Sequence, residues 1–534
     1  MGDNRFIQIH PLDNCLVALV DIDPGQYSFD EYTFKVVEKI PAKHKISLQD
    51  LEVGDVLRQY GVSVGKAIQP VKAGGWINTG NLTHIADPTE LRDVDLKWDA
   101  PDVGDFQEKT FLGYHRADGR VGTANYWLFI PLVFCENRNL RVIEETLQTA
   151  LGYKNENRFI SYANGLLGSE NHEQFQGKQR VFENVDGIRF LYHDGGCGGT
   201  RQDSEALLRL LAGYVHHPNV AGATVLSLGC QHAQIDWFKE VQAELYPHSK
   251  KPVIYLEQQK IKSEETLIKT AISETIDQLK KVNEISRKPA PLSKLVVGLE
   301  CGGSDGFSGI SANPAVGFAS DLINTLGGTT ILSEFPELNG VEQNIVDRCQ
   351  TRDLAEKFLR IQKAYSDRAV SVGSGFDNNP SPGNIKDGLI TDAIKSAGAA
   401  KKGGTAPITD VLDYTEPSKT PGLNLLCTPG NDVESTTGLS GSGANIILFT
   451  TGLGTPTGNP VTPIIKISSN TKLFESMPDI IDVNAGEIIS GEKTIEDVGR
   501  DILEEVIAVA SGKKTKAMLL EQHDFIVWKR GISL

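Results

Sequence analysis

From Gly113 onward the chain alternates short apolar runs with longer amphipathic stretches. Runs of this kind, apolar throughout and four to eight residues long, are typical of buried parallel strands, and the stretches between them have helical spacing. A Pro-containing break at residues 286–291 (SRKPAP) separates two such series. The sequence therefore predicts two α/β domains with mostly parallel sheets, a central one at residues 110–290 and a C-terminal one at residues 291–534.

The residues before this alternation have a different pattern. Four β-rich runs, separated by turns that contain glycine, lie at residues 6–9, 15–20, 32–37 and 76–77. Short strands with turns between them predict a small β domain, which we place at residues 1–90. Residues 91–109 are dense in Asp, Glu and Pro and predict an extended linker.

The charge of the chain limits its partners. Its 534 residues include 53 Lys and Arg against 69 Asp and Glu, a formal net charge of −16. Binding to phosphate backbones or to anionic membranes needs a surplus of cations, so we expect no nucleic-acid partner and no membrane partner. Acidic residues interrupt every apolar run in residues 1–30, which predicts neither a signal peptide nor a membrane span. With seven cysteines in no paired framework, the sequence favours a cytoplasmic protein.

Four cysteines stand at or just after predicted strand ends, beside glycine or polar residues: Cys135, Cys197, Cys230 and Cys301. Ligands of open α/β sheets bind at the carboxyl ends of the strands, so these thiols are candidates for one shared site. Their spacing matches no local zinc or ferredoxin motif. Cysteine is also a common small buried residue, and this simpler interpretation stays open for each of them.

Residues 302–306 (GGSDG) match the G-x-S-x-G pattern of a hydrolase nucleophile. That nucleophile should lead directly into a helix, whereas here the loop continues through Asn313 and Pro314. The only histidine that follows is His523, close to the C-terminus. A polar, glycine-rich loop that offers amide and hydroxyl groups to a carboxylate or a sugar fits the pattern better than a serine hydrolase does.

Several long motifs, in a fixed order, resemble one family. Residues 6–14 (FIQIHPLDN), 42–45 (AKHK) and 59–61 (QYG) are similar to an SAF-type β-clip domain. The later motifs are GYHRADGRVGTAN, the four cysteine contexts, ECGGSDGFSGISANPAVG, NPSPGN, TPGLNLLCTPGND and TTGLGTPTGNP. Together they resemble the altronate/galactarate dehydratase family over nearly the whole chain, with an SAF-like domain followed by two α/β domains.

The resemblance implies removal of water from a sugar acid, assisted by Fe(II) or Mn(II). A proton beside a carboxylate is only weakly acidic, so a cation has to stabilise the enediolate that forms when a base removes the C2 proton. Oxygen and imidazole ligands suit such ions. On this expectation the candidate metal ligands are His10, His44 and Asp305. The candidate catalytic residues are His44, Lys45, Asp305 and Glu334, and the candidate substrate-binding residues are Arg116, Ser304, Asn313, Ser381 and Asn384.

Two departures from the family pattern concern charge. Gln231 stands where relatives commonly have Glu, and Leu453 stands where they have Arg. A dicarboxylate such as galactarate needs a second cation and is disfavoured without that arginine, so the expected substrate is D-altronate, converted to 2-dehydro-3-deoxy-D-gluconate in hexuronate breakdown.

Other functions stay open at this point. Galactarate or another aldonic or aldaric acid is the second substrate expectation. Cys135, Cys197, Cys230 and Cys301, or three of them, are candidate ligands of an iron–sulfur cluster whose open iron is the Lewis acid. A sugar-acid sensor that lost catalysis through Gln231 and Leu453 is the alternative that is not an enzyme. The sequence also leaves open whether the chain forms a homo-oligomer.

Overall fold

The computed structural model describes residues 4–92, 95–154, 158–167, 179–376 and 379–531. These residues form two compact units. Unit 1 comprises the described parts of Met1–Phe111 and Pro289–Trp528, and unit 2 comprises those of Leu112–Lys288 and Lys529–Leu534. Within the described residues, no helix combines the length and the apolar composition that crossing a membrane requires.

The N-terminal part of unit 1 is a small, all-antiparallel β domain, as the sequence predicts. Its sheets have the strand orders β1-β2-β5-β8, β3-β4 and β6-β7-β9. Phe6, Leu16, Phe34 and Ile46 lie in its core. The strands are β1 (Phe6–Ile7), β2 (Cys15–Ala18), β3 (Gly25–Phe29), β4 (Tyr32–Val36), β5 (Lys45–Ser47), β6 (Val56–Gln59), β7 (Val62–Ala67), β8 (Trp76–Ile77) and β9 (Leu82–Thr83).

Unit 2 is built on a four-stranded parallel sheet of order β13-β12-β14-β15. Every residue of β12 and β14 is buried, which explains their apolar sequences. The elements of this region are β10 (Thr110–His115), β11 (Val121–Gly122), β12 (Tyr126–Pro131), α1 (Asn137–Ala150), α2 (Arg158–Leu166), β13 (Gly187–Phe190), α3 (Arg201–Val215), β14 (Val220–Ser227), α4 (Ile235–Leu245), β15 (Val253–Glu257), α5 (Gln258–Ile261) and α6 (Glu264–Val282).

The C-terminal part of unit 1 contains a seven-stranded parallel sheet of order β19-β20-β18-β17-β21-β22-β23. The predicted α/β class with mostly parallel sheets is therefore confirmed. The elements are β16 (Lys288–Pro291), β17 (Val296–Cys301), α7 (Ala312–Thr325), β18 (Thr329–Leu332), α8 (Glu342–Val346), α9 (Arg352–Ser371), α10 (Pro382–Lys386), α11 (Asp392–Ala400), β19 (Ile408–Leu412), β20 (Gly422–Leu426), α12 (Asp432–Gly441), β21 (Ile446–Thr451), β22 (Ile464–Ser468), α13 (Thr471–Ser476), β23 (Val483–Asn484), α14 (Glu487–Ser490), α15 (Ile495–Ala510) and α16 (Lys516–Leu519).

Short 3-10 helices supplement these elements. Those in the described residues include Gly104–Glu108, Phe134–Glu136, Leu292–Lys294, Phe335–Leu338 and Lys401–Gly403. The first of them falls within the predicted linker, of which residues 93 and 94 lie outside the described residues.

The β domain shares an apolar core with α11 and the segment before it. Leu57 and Val64 pack in one cluster with Leu389 and Ile394. Burial of apolar side chains across this contact fixes the loop before β5 against the C-terminal part of unit 1. That loop carries the Lys-His-Lys motif at residues 43–45, so residues more than 300 positions apart in sequence meet at one place.

Candidate functional site

The candidate site of unit 1 lies at the carboxyl edge of its parallel sheet, where ligands of α/β proteins bind. β17 ends at Cys301, and the glycine-rich loop 302–306 follows. The neighbouring strand β18 leads to Ser333 and Glu334, and β21 on the other side leads to Gly452. Adjacent parallel strands therefore deliver a thiol, a carboxylate and a glycine turn to the same edge.

A buried set of charged side chains lies at this edge, and we call it the charge cluster. Lys402 Nζ lies 2.7 Å from Cys301 Sγ and 2.8 Å from Glu334 Oε2. Lys395 Nζ lies 2.7 Å from Glu337 Oε1, and the Cys301 thiol donates to Glu337 Oε2 at 2.9 Å. All five side chains are nearly inaccessible; Lys395, the most exposed of them, has 11% of its side chain exposed.

The members of the charge cluster differ in the direction in which their surroundings shift their pKa values. Burial opposes ionisation of Glu337, but the ammonium groups of Lys395 and Lys402 outweigh it and lower the pKa of Glu337 to about 2. Burial, with the adjacent Glu337, raises the pKa of the Cys301 thiol well above its usual value. Cys301 is therefore a neutral hydrogen-bond donor here, while Glu337 is a permanent anion.

Glu300, next to Cys301 on β17, is a buried carboxylic acid. Burial and then the charge of Glu334 raise its pKa well above the usual value. Ser333 and Ser435 donate to its Oε2 at 2.8 and 2.6 Å, whereas its Oε1 has no partner among the described residues. Buried polar atoms without a partner are rare, and they commonly indicate an ion or a water at that position.

Glu334 has a left-handed backbone conformation, with φ of +66°. This conformation is costly for a residue other than glycine, and such residues concentrate at functional sites. The Glu334 N–H donates to Thr428 Oγ1 at 2.8 Å, which holds the turn in place. In this conformation the Glu334 carboxylate lies beside Cys301, whose N–H donates to it at 3.1 Å.

Asp432, the first residue of α12, has a carboxyl group whose pKa lies close to neutral pH. Burial raises the pKa of its carboxyl to about 7, and the charges of Glu334 and Glu337 add to this effect. The carboxylate lies directly over Gly302, where any Cβ atom would collide with it. Asp432 is half-buried, in contrast to the charge cluster, so it combines a neutral pKa with access from solvent.

A second polar group, the Asp305 cluster, surrounds the carboxylate of Asp305 in the same glycine-rich loop. Ser308 and Ser469 donate to its Oδ1 at 2.9 and 2.7 Å, and the Phe307 N–H donates at 3.2 Å. Asn470 donates to Oδ2 at 3.2 Å, and Lys43 of the β domain pairs with the same oxygen at 2.9 Å. Lys43 also pairs with Asp387 at 3.1 Å. Both oxygens of Asp305 are thus fully engaged with protein donors.

A metal ion of the kind that the sequence implies has one fitting set of ligands in the described part of the chain. Cys301, Glu334 and Glu337 each offer a ligand atom, and these atoms lie within 4.8 Å of one another. Glu334 Oε1 is buried without a partner among the described residues, which agrees with an additional cation beside it. Lys402 already contacts two of the three ligand atoms, so an ion would compete with its ammonium group.

The predicted residues of the β domain are held by protein contacts. His44 Nδ1 accepts a hydrogen bond from Trp76 at 3.2 Å, so Nε2 carries the proton and donates to the Lys386 carbonyl at 3.1 Å. Burial lowers the pKa of His44, which keeps the ring neutral. Lys45 Nζ donates to the Gly388 and Lys43 carbonyls, and burial lowers the pKa of Lys45 to about 8. The His44 ring and the Lys45 side chain therefore join the β domain to residues 386–388.

His10 lies elsewhere in the β domain. Its Nδ1 accepts from the Leu12 N–H at 3.2 Å, and its ring packs against Gly61. Asp13 accepts the N–H groups of His10, Tyr60 and Gly61, which fixes this turn. His10, His44 and Asp305 do not form a group with ligand spacing in the described structure. Their assignment as metal ligands stays a prediction.

The predicted substrate-binding residues of unit 1 lie along the glycine-rich loop. Asn384 donates to the Ser304 carbonyl at 2.7 Å, and Ser381 caps α10 by accepting from the Asn384 N–H. Asn313 donates to the Gly398 carbonyl at 3.0 Å and accepts from Thr450 at 2.6 Å. These contacts hold the loop in shape, and the contacts of the same groups with a sugar acid stay a prediction.

Arg116 lies in unit 2, where all three nitrogen atoms of its guanidinium donate hydrogen bonds. Its guanidinium donates to the Pro218 and Ala124 carbonyls and to Asn125 Oδ1 at 2.7 to 3.0 Å. Burial lowers its pKa to about 10. These contacts join the β10–β11 turn to the sheet of unit 2, and its predicted pairing with a substrate carboxylate stays untested.

The four predicted thiols have different surroundings. Cys301 is buried in the charge cluster of unit 1, whereas Cys135, Cys197 and Cys230 are exposed cysteines of unit 2. All four are free thiols. Their surroundings place Cys301 in a set with carboxylates and ammonium groups and leave the other three as a separate set.

Sequence reasoning missed Glu337, Lys395, Lys402 and Asp432. Glu337 follows Glu334 by three residues, and Asp432 lies within the quoted TPGND motif, so both were within reach of the sequence. Lys402 sits in an ordinary KKGG turn, and its partner Cys301 is 101 positions away. Only the fold could identify it.

Comparisons with known proteins agree with this architecture. Three family models match: the altronate/galactarate dehydratase SAF domain at residues 4–84, the D-galactarate dehydratase/altronate hydrolase second domain at 113–283, and the D-galactarate/altronate dehydratase C-terminal domain at 292–533. The chain is similar to altronate dehydratase of Escherichia coli K12, at 32% identity over 99% of this chain and 100% of that protein. It is 33% identical to altronate dehydratase of Bacillus subtilis 168, over 99% of both chains. It is 31% identical to galactarate dehydratase (L-threo-forming) of E. coli K12, over 95% of this chain and 93% of that protein.

Proposed function

The chain belongs to the altronate/galactarate dehydratase family and is a sugar-acid dehydratase, and on that premise we propose that it converts D-altronate to 2-dehydro-3-deoxy-D-gluconate and water. The reaction removes the C2 proton and the C3 hydroxyl, and the resulting enol becomes the 2-keto acid. Its place is the breakdown of hexuronates.

The observation that supports a monocarboxylate is the position of Leu453. Its Cβ would lie 3.5 Å from a Cβ atom at Gly303, in the loop that carries Asp305, and 40% of the residue is exposed. An apolar side chain at the edge of the site gives no charge partner to a second carboxylate. A dicarboxylate would leave its second charge without a partner there, so altronate is favoured over galactarate.

Asp432 is the general base of this proposal. Its carboxyl has a pKa of about 7 and is half-buried beside Gly302, so it is accessible and a substantial fraction of it is ionised near neutral pH. The proton that it takes from C2 leaves negative charge on the substrate carboxylate. The buried ammonium group of Lys395, whose charge already lowers the pKa of Asp432, stabilises this negative charge through its field.

The charge cluster supplies the fixed field of the site. Glu337 and Lys395 stay ionised as a buried pair, while Lys402 orients Glu334 and Cys301. An Fe(II) or Mn(II) ion held by Glu334, Glu337 and Cys301 would supply further positive charge for the enediolate. The Asp305 cluster fixes the glycine-rich loop and presents Lys43, whose side chain is 18% exposed, to the substrate hydroxyls.

A substrate panel tests this function. The purified enzyme is supplied with Fe(II) or Mn(II) and incubated with altronate, other aldonic acids and galactarate, and formation of the 2-keto acid is measured. We expect the highest kcat/KM with altronate. Preference for galactarate would overturn the substrate assignment, and tight binding of altronate without turnover would identify a sensor instead of an enzyme.

Leu453→Arg sharpens the same test. A new exposed charge pair contributes up to about 1 kcal/mol, so the ratio of kcat/KM for galactarate over altronate should rise about fivefold. Leu453→Met is the control of similar size without charge and should leave the ratio unchanged. An unchanged ratio in Leu453→Arg would show that Leu453 does not face the second carboxylate.

A further inference from the structure

Unit 2 brings three exposed thiols to the carboxyl edge of its own parallel sheet. Cys197 follows β13, Cys135 follows β12 and Cys230 follows β14, and these three strands are consecutive in the sheet. Each cysteine also precedes a helix of eleven or more residues, namely α3, α1 and α4 respectively. The three thiols thus lie in the loops at one edge of the sheet, each between the end of a strand and the start of the helix that follows it.

Hydrogen bonds hold the three loops together. The Gly196 carbonyl accepts from the N–H groups of His232 and Ala233 at 3.0 and 3.2 Å, which joins the loop of Cys197 to that of Cys230. The Phe134 N–H donates to the Gly195 carbonyl at 3.1 Å, which joins the loop of Cys135 to that of Cys197. The three loops that carry the cysteines are therefore neighbours at this edge.

Gly196 makes this arrangement possible. Its φ is +97°, and a Cβ atom at this position would collide with the Leu132 carbonyl at the end of β12. Only glycine combines this backbone conformation with so close an approach. The loop is thus built tightly against β12, although its cysteine is exposed.

His193 fixes the same loop and is not available as a ligand. Its Nε2 donates to the Pro131 carbonyl at 2.8 Å, and its Nδ1 accepts from the Gly195 N–H at 3.1 Å. Burial lowers the pKa of the His193 ring, so it stays neutral. With its ring committed to the backbone, the ligand chemistry at this edge comes from the thiols.

The three unit 2 thiols are not gathered closely enough to share a single ion. Among the described residues, the only set with ligand atoms within 4.8 Å of one another is Cys301, Glu334 and Glu337, so the three unit 2 thiols are farther apart. A single zinc ion needs its ligands close together around it. In an iron–sulfur cluster each thiolate binds a different iron atom, so its ligands lie farther apart, and soft thiolates are the ligands that such clusters take.

We propose that Cys135, Cys197 and Cys230 bind a 4Fe–4S cluster, with one thiolate on each of three iron atoms. The fourth iron has no cysteine ligand and offers an open position to an oxygen ligand such as a hydroxyl or a carboxylate. Cys301 is not a ligand, because it is buried against Lys402 and Glu337 in unit 1. The cluster site is independent of the substrate assignment above, and its test uses the enzyme without substrate.

Anaerobic reconstitution is the first experiment. The full chain, reduced and freed of metal, is incubated with Fe(II) and sulfide, desalted, and analysed for iron, acid-labile sulfide and visible absorption. We expect four irons and four sulfides per chain, with the broad absorption of thiolate-bound iron. Iron without labile sulfide, or zinc in its place, would overturn the cluster.

Substitutions assign the ligands. Cys135→Ser, Cys197→Ser and Cys230→Ser should each lose most of the bound iron and sulfide, and since the three positions are exposed the fold should be retained. Cys349→Ser, at a buried cysteine of unit 1, is the matched control and should keep the cluster. Cys301→Ser should keep it as well, and loss of the cluster in that variant would overturn the three-thiol assignment.

The open iron has its own signature. One-electron oxidation by ferricyanide converts a 4Fe–4S cluster of charge 2+ to a 3Fe–4S cluster of charge 1+, with release of one Fe(II) ion and with ferrocyanide as the reduced product. We expect the electron paramagnetic resonance signal of the 3Fe–4S form and one released iron per chain. A cluster that resists this loss has four protein ligands, and His232→Ala would then identify the fourth, which contradicts the open position.

Thiol labelling gives a readout that does not depend on any variant. In the folded protein without metal, the three exposed cysteines should react with a thiol reagent faster than the four buried ones. After reconstitution those three should be protected. Reaction of all three at an unchanged rate in the loaded protein would show that the iron is bound elsewhere.

Discussion

The carboxyl edges of the two parallel sheets can be compared directly, because strands in both units end there in loops that lead into helices. At the edge of unit 1 the functional side chains are carboxylates and ammonium groups, nearly all buried and paired with one another. At the edge of unit 2 they are three exposed thiols on loops that are fixed through backbone hydrogen bonds. The same topological position thus carries buried, paired charges in one unit and exposed thiols, which are soft metal ligands, in the other.

The difference concerns how each edge is held in place. In unit 1 the side chains hold one another, so removing one charge leaves its partner buried and unpaired. In unit 2 the backbone holds the loops, with Gly196 at their centre, and the cysteine side chains are free to bind. Substitutions in unit 1 should therefore affect both stability and turnover, whereas cysteine substitutions in unit 2 should affect metal content with little effect on folding.

Asp432→Asn should have the largest effect on turnover. Loss of a general base typically lowers the rate by about 10²–10⁴-fold, and the amide keeps the size of the side chain. In the unmodified enzyme kcat/KM should rise as pH increases through about 7, because only the ionised carboxyl of Asp432 accepts a proton. The residual activity of the variant should lack this rise.

Glu434→Gln is the matched control for Asp432→Asn, since it changes another acid in the first turn of α12. We expect its turnover to stay close to that of the unmodified enzyme. If Asp432→Asn kept normal turnover while Cys197→Ser abolished it, the chemistry would have to be moved from the edge of unit 1 to that of unit 2.

Lys402→Met should have the largest effect on stability. It leaves Glu334 buried without its ammonium partner, and breaking a buried pair in this way costs about 3–5 kcal/mol. Denaturant unfolding measures the change. Lys363→Met is the control, because the pair of Lys363 with Asp367 on α9 is exposed and should contribute only about 0.3–0.5 kcal/mol. Equal losses in the two variants would show that the charge cluster is hydrated.

The strands were predictable because a buried parallel strand is apolar along its whole length. The apolar runs at residues 295–299, 329–332 and 446–449 predict three strands. The second is observed without change, whereas the first (Val296–Cys301) and the third (Ile446–Thr451) each end two residues later than predicted. The extensions consist of Glu300, Cys301 and two threonines, which end an apolar run in the sequence. They are buried here because the strand continues into the site.

The site was less predictable because its contacts join distant parts of the chain. The sequence indicated Cys301 from its place at a predicted strand end, and Asp305 and Glu334 from what the family resemblance implies. The structure places all three at one edge of the sheet. The cation partners of these residues, Lys402 and Lys43, are identified only by the fold, since nothing in the sequence pairs positions 301 and 402 or 43 and 305. In the same way, the contact of His44 with residue 386 depends on the packing of the β domain against α11.

Gly302→Ala and Gly199→Ala compare the packing of the two edges with the smallest possible change. At Gly302 a Cβ atom would collide with the Asp432 carboxylate and lie 2.6 Å from the Phe449 ring. At Gly199 its nearest neighbour would be Asp203 Cβ at 3.9 Å, an ordinary contact. We expect Gly302→Ala to destabilise the protein by about 1–3 kcal/mol, as overpacking does, and to displace Asp432 and lower turnover with it. Gly199→Ala should change stability by no more than about 0.5 kcal/mol. Thermal unfolding with turnover assays checks both, and a Gly302→Ala enzyme with full stability and full activity would show that Asp432 has room to move, which would weaken its assignment as the positioned base.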